Sequence, residues 1–300
     1  MSTSIDDIPH VAMRELFRTV DLDTLFKCRR VCQAWNHEIE SMNYKGTQKL
    51  YLRTMLVGVD TDHLTIEGTS KRCYYAHSSK DLVNMLRHFE PPEIFLLHAK
   101  NPQNSHMFDE LMRGFDSRWC EKVKELEIGD IGQVTPERTC EIVHKFSNIY
   151  FLNLIWRAGE FSCSQLLQGF QKLRFLRIYQ QPEEHKGLFM DKESLDVLLE
   201  HQMKNQRLLQ HIELLMTTIT FNEEDFLKFL TTLSNIPVHP DVLTSTPDCV
   251  NTSSIDDNVY ISFLSCHFEN PIFTKLEQFC SNKTYSFKLA HTNFNIFVEE

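Results

Sequence analysis

Glycine is scarce in this chain, with nine in 300 residues. Phosphate-cradling loops and flexible linkers both depend on it, so the count speaks against a nucleotide loop and against a linker-rich architecture. No G-x-G-x-x-G, P-loop or G-x-S-x-G pattern occurs, and no enzyme reading gains positive support. Long apolar runs are missing too. None approaches the roughly eighteen residues of a membrane helix, and the opening MSTSIDDIPH has neither a basic nor an apolar leader region. The nine cysteines are odd in number, scattered and without C-x-x-C pairs, as free thiols in the cytoplasm or nucleus would be. No H-E-x-x-H or zinc-spaced Cys/His set exists, so no metal and no cofactor is expected; Cys266-His267 reads as a strand residue and its turn. Positive charge is the last deficit. Lys and Arg number 31 against 41 Asp and Glu, a net charge of −10. The first fifty residues balance seven of each sign, so the whole acidic excess lies beyond them. Without clustered Lys and Arg a nucleic-acid surface is excluded. A basic peptide or protein ligand is compatible with that balance.

What is present is concentrated between Ile8 and Glu40. Met13, Leu16, Phe17 and Val20 fall at i, i+3, i+4 and i+7, the spacing of one buried helix face. Asp21 is placed to cap a second helix carrying Leu22, Leu25 and Phe26. Cys28, Val31, Cys32, Trp35 and Ile39 repeat the periodicity in a third segment. The Ile8-Pro9 start, the Leu16-Phe17 pair, the Asp21-Leu22 break and the Val31-Cys32-x-x-Trp35 finish, taken together, resemble an F-box. Ile8 stands where leucine is commoner, and Ala12 where a larger apolar or an acidic residue is frequent. The resemblance implies a three-helix module over residues 1–45 that docks on the adaptor Skp1, and through it on a cullin, in a ubiquitin ligase. It also implies that Ile8, Pro9, Leu16, Phe17, Leu22, Leu25, Val31, Cys32 and Trp35 serve that contact. A module this small buries little surface alone, so it should lean on the rest of the chain or on a partner.

Residues 46–300 read as α/β. Lys49–Arg53 and His63–Glu67 alternate like half-buried strands, and Ser79 is placed to cap a helix with Leu82, Val83, Leu86 and Phe89 on one face. Short apolar strands then recur, with Leu96, Leu126, Leu152, Leu176 and Ile212 as anchors at intervals of 30, 26, 24 and 36 residues. Helical patterns separate them. One joins Met107, Leu111, Met112 and Phe115; another Cys140, Val143, His144 and Phe146; a third Phe161, Leu166, Leu167 and Phe170. Leu195, Leu198, Leu199 and Met203 follow Asp191 as a cap, and Phe226, Leu227, Phe229 and Leu230 follow Asn222. Alternating strands and helices make parallel βα units, here with a loose leucine-rich-repeat-like period. A non-repetitive α/β domain remains the alternative. Residues 235–258 read as an exposed loop. Beyond it, alternation at Val259–Phe263, Tyr285–Leu289 and Phe294–Val298 reads as a C-terminal antiparallel β patch, with a hairpin across Ala290–Asn293.

The run Leu195…Leu198-Leu199-Glu200-His201…Leu208-Leu209…Ile212 and the ending Phe294-Asn295-Ile296-Phe297-Val298 resemble the F-box-associated region of the large nematode F-box families. That likeness, over about residues 95–300, implies a receptor for a protein substrate. Trp156 and Arg157, directly after a strand, are candidates for a ligand-facing rim, since Trp and Arg dominate binding hot spots; Trp156 roofing the core is the competing reading. Arg174 and Arg177 are candidates for an open strand face. The expected role is therefore non-catalytic substrate recognition. A repeat scaffold that binds partners without delivering them for degradation is the alternative.

Overall fold

The computed structural model describes residues 8–20, 22–41, 51–59, 64–68, 73–76, 78–86, 89–99, 112–113, 115–129, 134–157, 159–180, 187–239, 258–270, 284–290 and 292–299. Three helices open the chain: α1 (His10–Thr19), α2 (Leu22–Cys28) and α3 (Gln33–Ser41). Pro9 precedes α1 and contributes its carbonyl to the first helical hydrogen bond, from Met13 N–H at 3.1 Å. Proline suits a helix entrance because its missing N–H would have no partner there. Met13, Phe17, Leu25 and Ile39 close a small core, with Ile8, Val20, Cys28 and Trp35 packed against it. Phe17 and Trp35 meet edge to face at 5.2 Å and 74°, the arrangement their ring quadrupoles favour.

Phe26, on α2, turns away from that core. Its ring packs on Tyr74 at 5.2 Å and stacks on Phe89 at 5.8 Å, inside the main hydrophobic cluster. Three residues on, Arg29 is buried and pairs with the buried Asp81, while its Nε donates to Asn36 at 2.9 Å. The helical head is thus joined to the body by an aromatic contact and a buried ion pair.

The body begins with an antiparallel ribbon, β1 (Thr54–Val59), β2 (Leu64–Gly68) and β3 (Cys73–Ala76), followed by α4 (Ser79–Leu86) and β4 (Ile94–Ala99). Next come α5 (Ser117–Cys120), β5 (Glu125–Ile128), α6 (Pro136–His144), β6 (Phe151–Trp156), β7 (Phe161–Ser162) and α7 (Cys163–Leu167). The chain continues through β8 (Phe175–Gln180), β9 (Leu188–Met190), α8 (Lys192–Asn205), β10 (His211–Leu215), β11 (Thr218–Ile219) and α9 (Glu223–Asn235). It ends with β12 (Asn258–Leu264), β13 (His267–Phe268), β14 (Thr284–Leu289) and β15 (Thr292–Glu299). One large sheet has the order β14-β15-β12-β10-β8-β6-β5-β4-β1-β2-β3, and the run from β1 through β15 is parallel throughout. Each successive major strand is added beside the last. A smaller parallel sheet, β13-β11-β9-β7, is laid down where the chain turns the corner after β6, β8, β10 and β12.

Register explains the core. Met55, Phe95, Leu126, Leu152, Leu176, Ile212, Ile261 and Ile296 are successive partners across the sheet, all fully buried. Strand side chains alternate between faces, so one apolar row commits every strand to the same orientation. The helices cover that face: Ile142, Val143, Leu166, Leu198 and Phe229 join the same cluster. Parallel sheets are ordinarily covered on both faces; here the second face stays partly exposed along β6, β8, β10 and β12.

Several expectations are corrected. The first strand lies at Thr54–Val59, after the Lys49–Arg53 alternation, and β3 had no counterpart in the sequence reading. Leu96 is not in register with the other anchors; Phe95 pairs with Leu126, so Leu96 points to the opposite face. The α4 cap is Ser78, whose Oγ accepts from Asp81 N–H at 3.1 Å, one residue earlier than expected. Phe161 belongs to β7 rather than to a helix, and Met203 is 65% exposed. Val259–Phe263 is parallel to both neighbours, so among the described C-terminal strands only β14 runs antiparallel, pairing with β15. The Met107–Leu111 part of one helical pattern, most of the Pro- and Ser-rich loop, Asp21 and the side chain of Leu22 lie outside the described residues.

Candidate functional site

Two surfaces have the chemistry of contact sites. The first is the outer side of the helical head. Leu16 lies one residue from the buried Phe17 yet is 48% exposed; Val31 is 50% and Val11 73% exposed, and Pro9 is exposed as well. Helical spacing accounts for this, because Met13 and Phe17 already fill the inward stripe and Leu16 falls beside it. Ile8, Cys32 and Trp35 are half-buried, and Leu25 is buried. The sequence-predicted residues therefore divide. Pro9, Leu16 and Val31 present apolar surface, while Phe17 and Leu25 hold the helices that carry it.

The head is pinned electrostatically by Glu38. This buried carboxylate of α3 is reached by His10 Nδ1 at 2.8 Å and by Arg14 Nε, both on α1. Those hydrogen bonds hold its pKa below the ordinary carboxylate value, against the opposing effect of burial.

The second surface is the open face of the sheet, built from the side chains that alternate with the buried row. Phe151, Phe175, His211 and Tyr260 are register partners on β6, β8, β10 and β12. Their ring centroids lie 6.0, 6.5 and 6.3 Å apart in succession, with tilts of 41°, 31° and 31°. Two residues along each strand is a polar row: Glu127, Asn153, Arg177, Glu213 and Ser262. Arg177 Nη2 donates to Glu213 Oε2 at 2.9 Å, and His211 Nε2 lies 3.3 Å from the same oxygen. His98 Nε2 lies 3.3 Å from Glu127 Oε1. The contacts of Glu127 with His98 and Asn153 hold its pKa down, whereas burial raises that of Glu125 and lowers that of His211. Glu125 also accepts from the Tyr150 hydroxyl at 3.3 Å.

Of the four residues expected on a ligand-facing surface, Arg177 lies on this face, and Arg174 reaches it with a guanidinium over the Phe175 ring, 5.8 Å from the centroid. Trp156 is 1% exposed, stacks on Phe161 at 5.8 Å and donates its indole N–H to Gly159 at 2.7 Å. Its position, two beyond Leu154, puts it on the buried side. Arg174 is likewise buried, with Nη2 donating to Gln210 at 3.0 Å. Arg174 precedes β8, so strand alternation does not govern it, whereas Arg177 falls on the open side of the strand. Arg157 is half-buried at the end of β6. The aromatic row went unrecognised, although its signal is in the chain: Phe151, Phe175 and His211 each immediately precede a strand anchor.

Among the described residues no group of three or more His, Cys, Asp or Glu is placed to hold a metal ion. A notch between α8 and α9, lined by Lys192, Leu195, Asp225 and Phe229, has about 10 Å³, room for one water and not for a substrate. No helix of the described residues is long and apolar enough to cross a membrane. Comparison with known families identifies residues 5–45 as an F-box domain. F-box domains typically bind Skp1, and proteins that carry them are generally substrate adaptors rather than enzymes. No curated protein matches the chain.

Proposed function

We propose that this protein is a substrate-recognition subunit of an SCF-type (Skp1–cullin–F-box) E3 ubiquitin ligase. Residues 1–45 dock on a Skp1-family adaptor and, through it, on a cullin; residues 46–300 hold a protein substrate. The observation that carries the reading is the apolar surface of Pro9, Val11, Leu16 and Val31 on a head whose own core is already closed. These four side chains leave the helical head with apolar surface that its own core does not use, on a module small enough to need a partner. Ile8 and Cys32 adjoin Pro9 and Val31 in the chain, Trp35 packs half-buried on the small core, and Phe17, Leu22 and Leu25 belong to the same helices. The body contributes position rather than bond chemistry, raising the effective concentration of substrate lysines near the transfer centre. The one-sided sheet, its strands added in chain order as in a leucine-rich-repeat solenoid, supports this receptor role. So does the likeness of residues 95–300 to nematode F-box-associated regions.

The test is Leu16→Glu. Leu16 is half exposed, so the change should leave unfolding within about 0.5 kcal/mol of the wild type while abolishing co-purification with Skp1. A stably folded variant that still captures Skp1 would overturn the docking assignment. Depletion of the protein in cells should raise the abundance of its substrate, whereas the partner of a non-degradative scaffold would stay constant.

A further inference from the structure

The open sheet face has a charge and ring pattern that selects among protein ligands. Across adjacent strands its first row reads Glu125, Phe151, Phe175, His211 and Tyr260, each the register partner of the next. The second row carries Glu127 and Glu213 with Arg177 between their strands. Along these two rows, from β5 to β12, three carboxylates face the guanidinium of Arg177, and Arg174, just ahead of β8, lays a second guanidinium over the Phe175 ring, 5.8 Å from its centroid. Arg177 is engaged by Glu213, and the cations nearest Glu125, Arg53 and Lys124, both contact Glu93 at the rim. The face is thus net acidic at its β5 end and aromatic along its length.

We propose that this face binds an extended, Lys- or Arg-bearing segment of a partner protein laid across the strands. The basic heads meet Glu125, Glu127 and Glu213, and the alkyl stems and guanidinium planes lie on the rings of Phe151, Phe175 and Tyr260. Arginine stacks on aromatic faces and pairs bidentately with carboxylates, so the two rows supply both halves of one recognition. Spacing supports the fit. From Phe151 to Tyr260 is three strand steps, about 14 Å, which an extended chain covers in about four to five residues. Alternate residues of that segment face the sheet, so the basic positions fall at every second residue. This inference rests on the open face being the cargo surface, as proposed above, and adds the chemistry of the cargo.

The experiment selects a random-peptide library on the full-length chain, then measures the enriched peptides by fluorescence anisotropy at low and physiological salt. The expected result is enrichment of Lys or Arg at alternating positions, with affinity that falls as salt rises. Phe175→Ala and Glu127→Gln should each weaken binding by about tenfold or more, and Glu200→Gln, on the exposed side of α8, should not. Thermal unfolding of each variant confirms that it is folded. Enriched peptides that are acidic or purely apolar, yet still lost with Phe175→Ala, overturn the charge inference and leave the open face as the cargo surface. Peptides indifferent to both open-face variants overturn the inference and the cargo surface together. Equal weakening by Glu200→Gln identifies unspecific attraction to an acidic protein and also overturns it. No enrichment at all does the same. Skp1 capture by the same preparations, read through Leu16, is independent of every one of these outcomes.

Discussion

Glu38 shows how a single buried carboxylate can hold two helices together. Its neighbours His10 and Arg14 both stabilise the ionised form, so its pKa in the folded protein lies below the ordinary 4.5. A carboxylate with a depressed folded pKa adds stability that is complete above its unfolded value and disappears as pH falls through the folded one. Acid should therefore loosen the α1–α3 contact. Urea unfolding of wild type and Glu38→Gln should show a stability gap near neutrality that closes in strong acid. Arg29 makes a second case. Arg29→Ala takes the guanidinium away from the buried carboxylate of Asp81 and should cost about 3–5 kcal/mol, far more than Leu16→Glu on the same head. Chemical denaturation of the two variants side by side checks the contrast. Trp156 carries the lesson of this scale: residue type and a place after a strand mark it for binding, while strand parity sends it to the buried side.

At the level of elements, caps and register explain most of what forms where. Asp191 and Asn222 each accept from the backbone N–H three residues on, and Ser194 and Asp225 reach back to complete capping boxes. Two orphan N–H groups are satisfied at each helix start. Asp191→Ala should therefore destabilise by about 1 kcal/mol, read as a small fall in the thermal midpoint with open-face binding unchanged. These helices were legible because cap and apolar stripe agree. The loose period of the strands has a physical source in the crossovers, which differ in length: α7 has five residues, α8 fourteen and α9 thirteen. Such crossovers keep the sheet in register while scattering the sequence spacing. Illegible were β1, which pairs on one side with the distant β4, β3, a four-residue strand held among the described strands by β2 alone, and the parallel course of β12, which alternation alone cannot distinguish from antiparallel. The open-face row was readable in retrospect, as the residue before each anchor, once the anchors were known to be adjacent.

The whole molecule behaves as a head fastened to a body. Phe26 fills a site against Tyr74 and Phe89, and Arg29 completes Asp81. Cutting the chain after residue 45 would expose those rings and take the Arg29 guanidinium from Asp81. The truncated body should consequently unfold at lower temperature and bind the hydrophobic dye ANS, where a body with an independent head would do neither. Periodicity places Phe26 on the apolar side of α2 without saying which core it enters; that became visible only with β3 and α4 beside it.

The monotonic strand order has a geometric corollary. Neighbouring strands sit about 4.8 Å apart, so β12 lies about 19 Å farther along the sheet than β5. If the chain acts as the ligase receptor proposed above, the strands that its cargo engages would set the reach to the transfer centre. A motif seated near β5 and the same motif slid toward β12 would offer different lysines for modification, with the protein acting as a ruler.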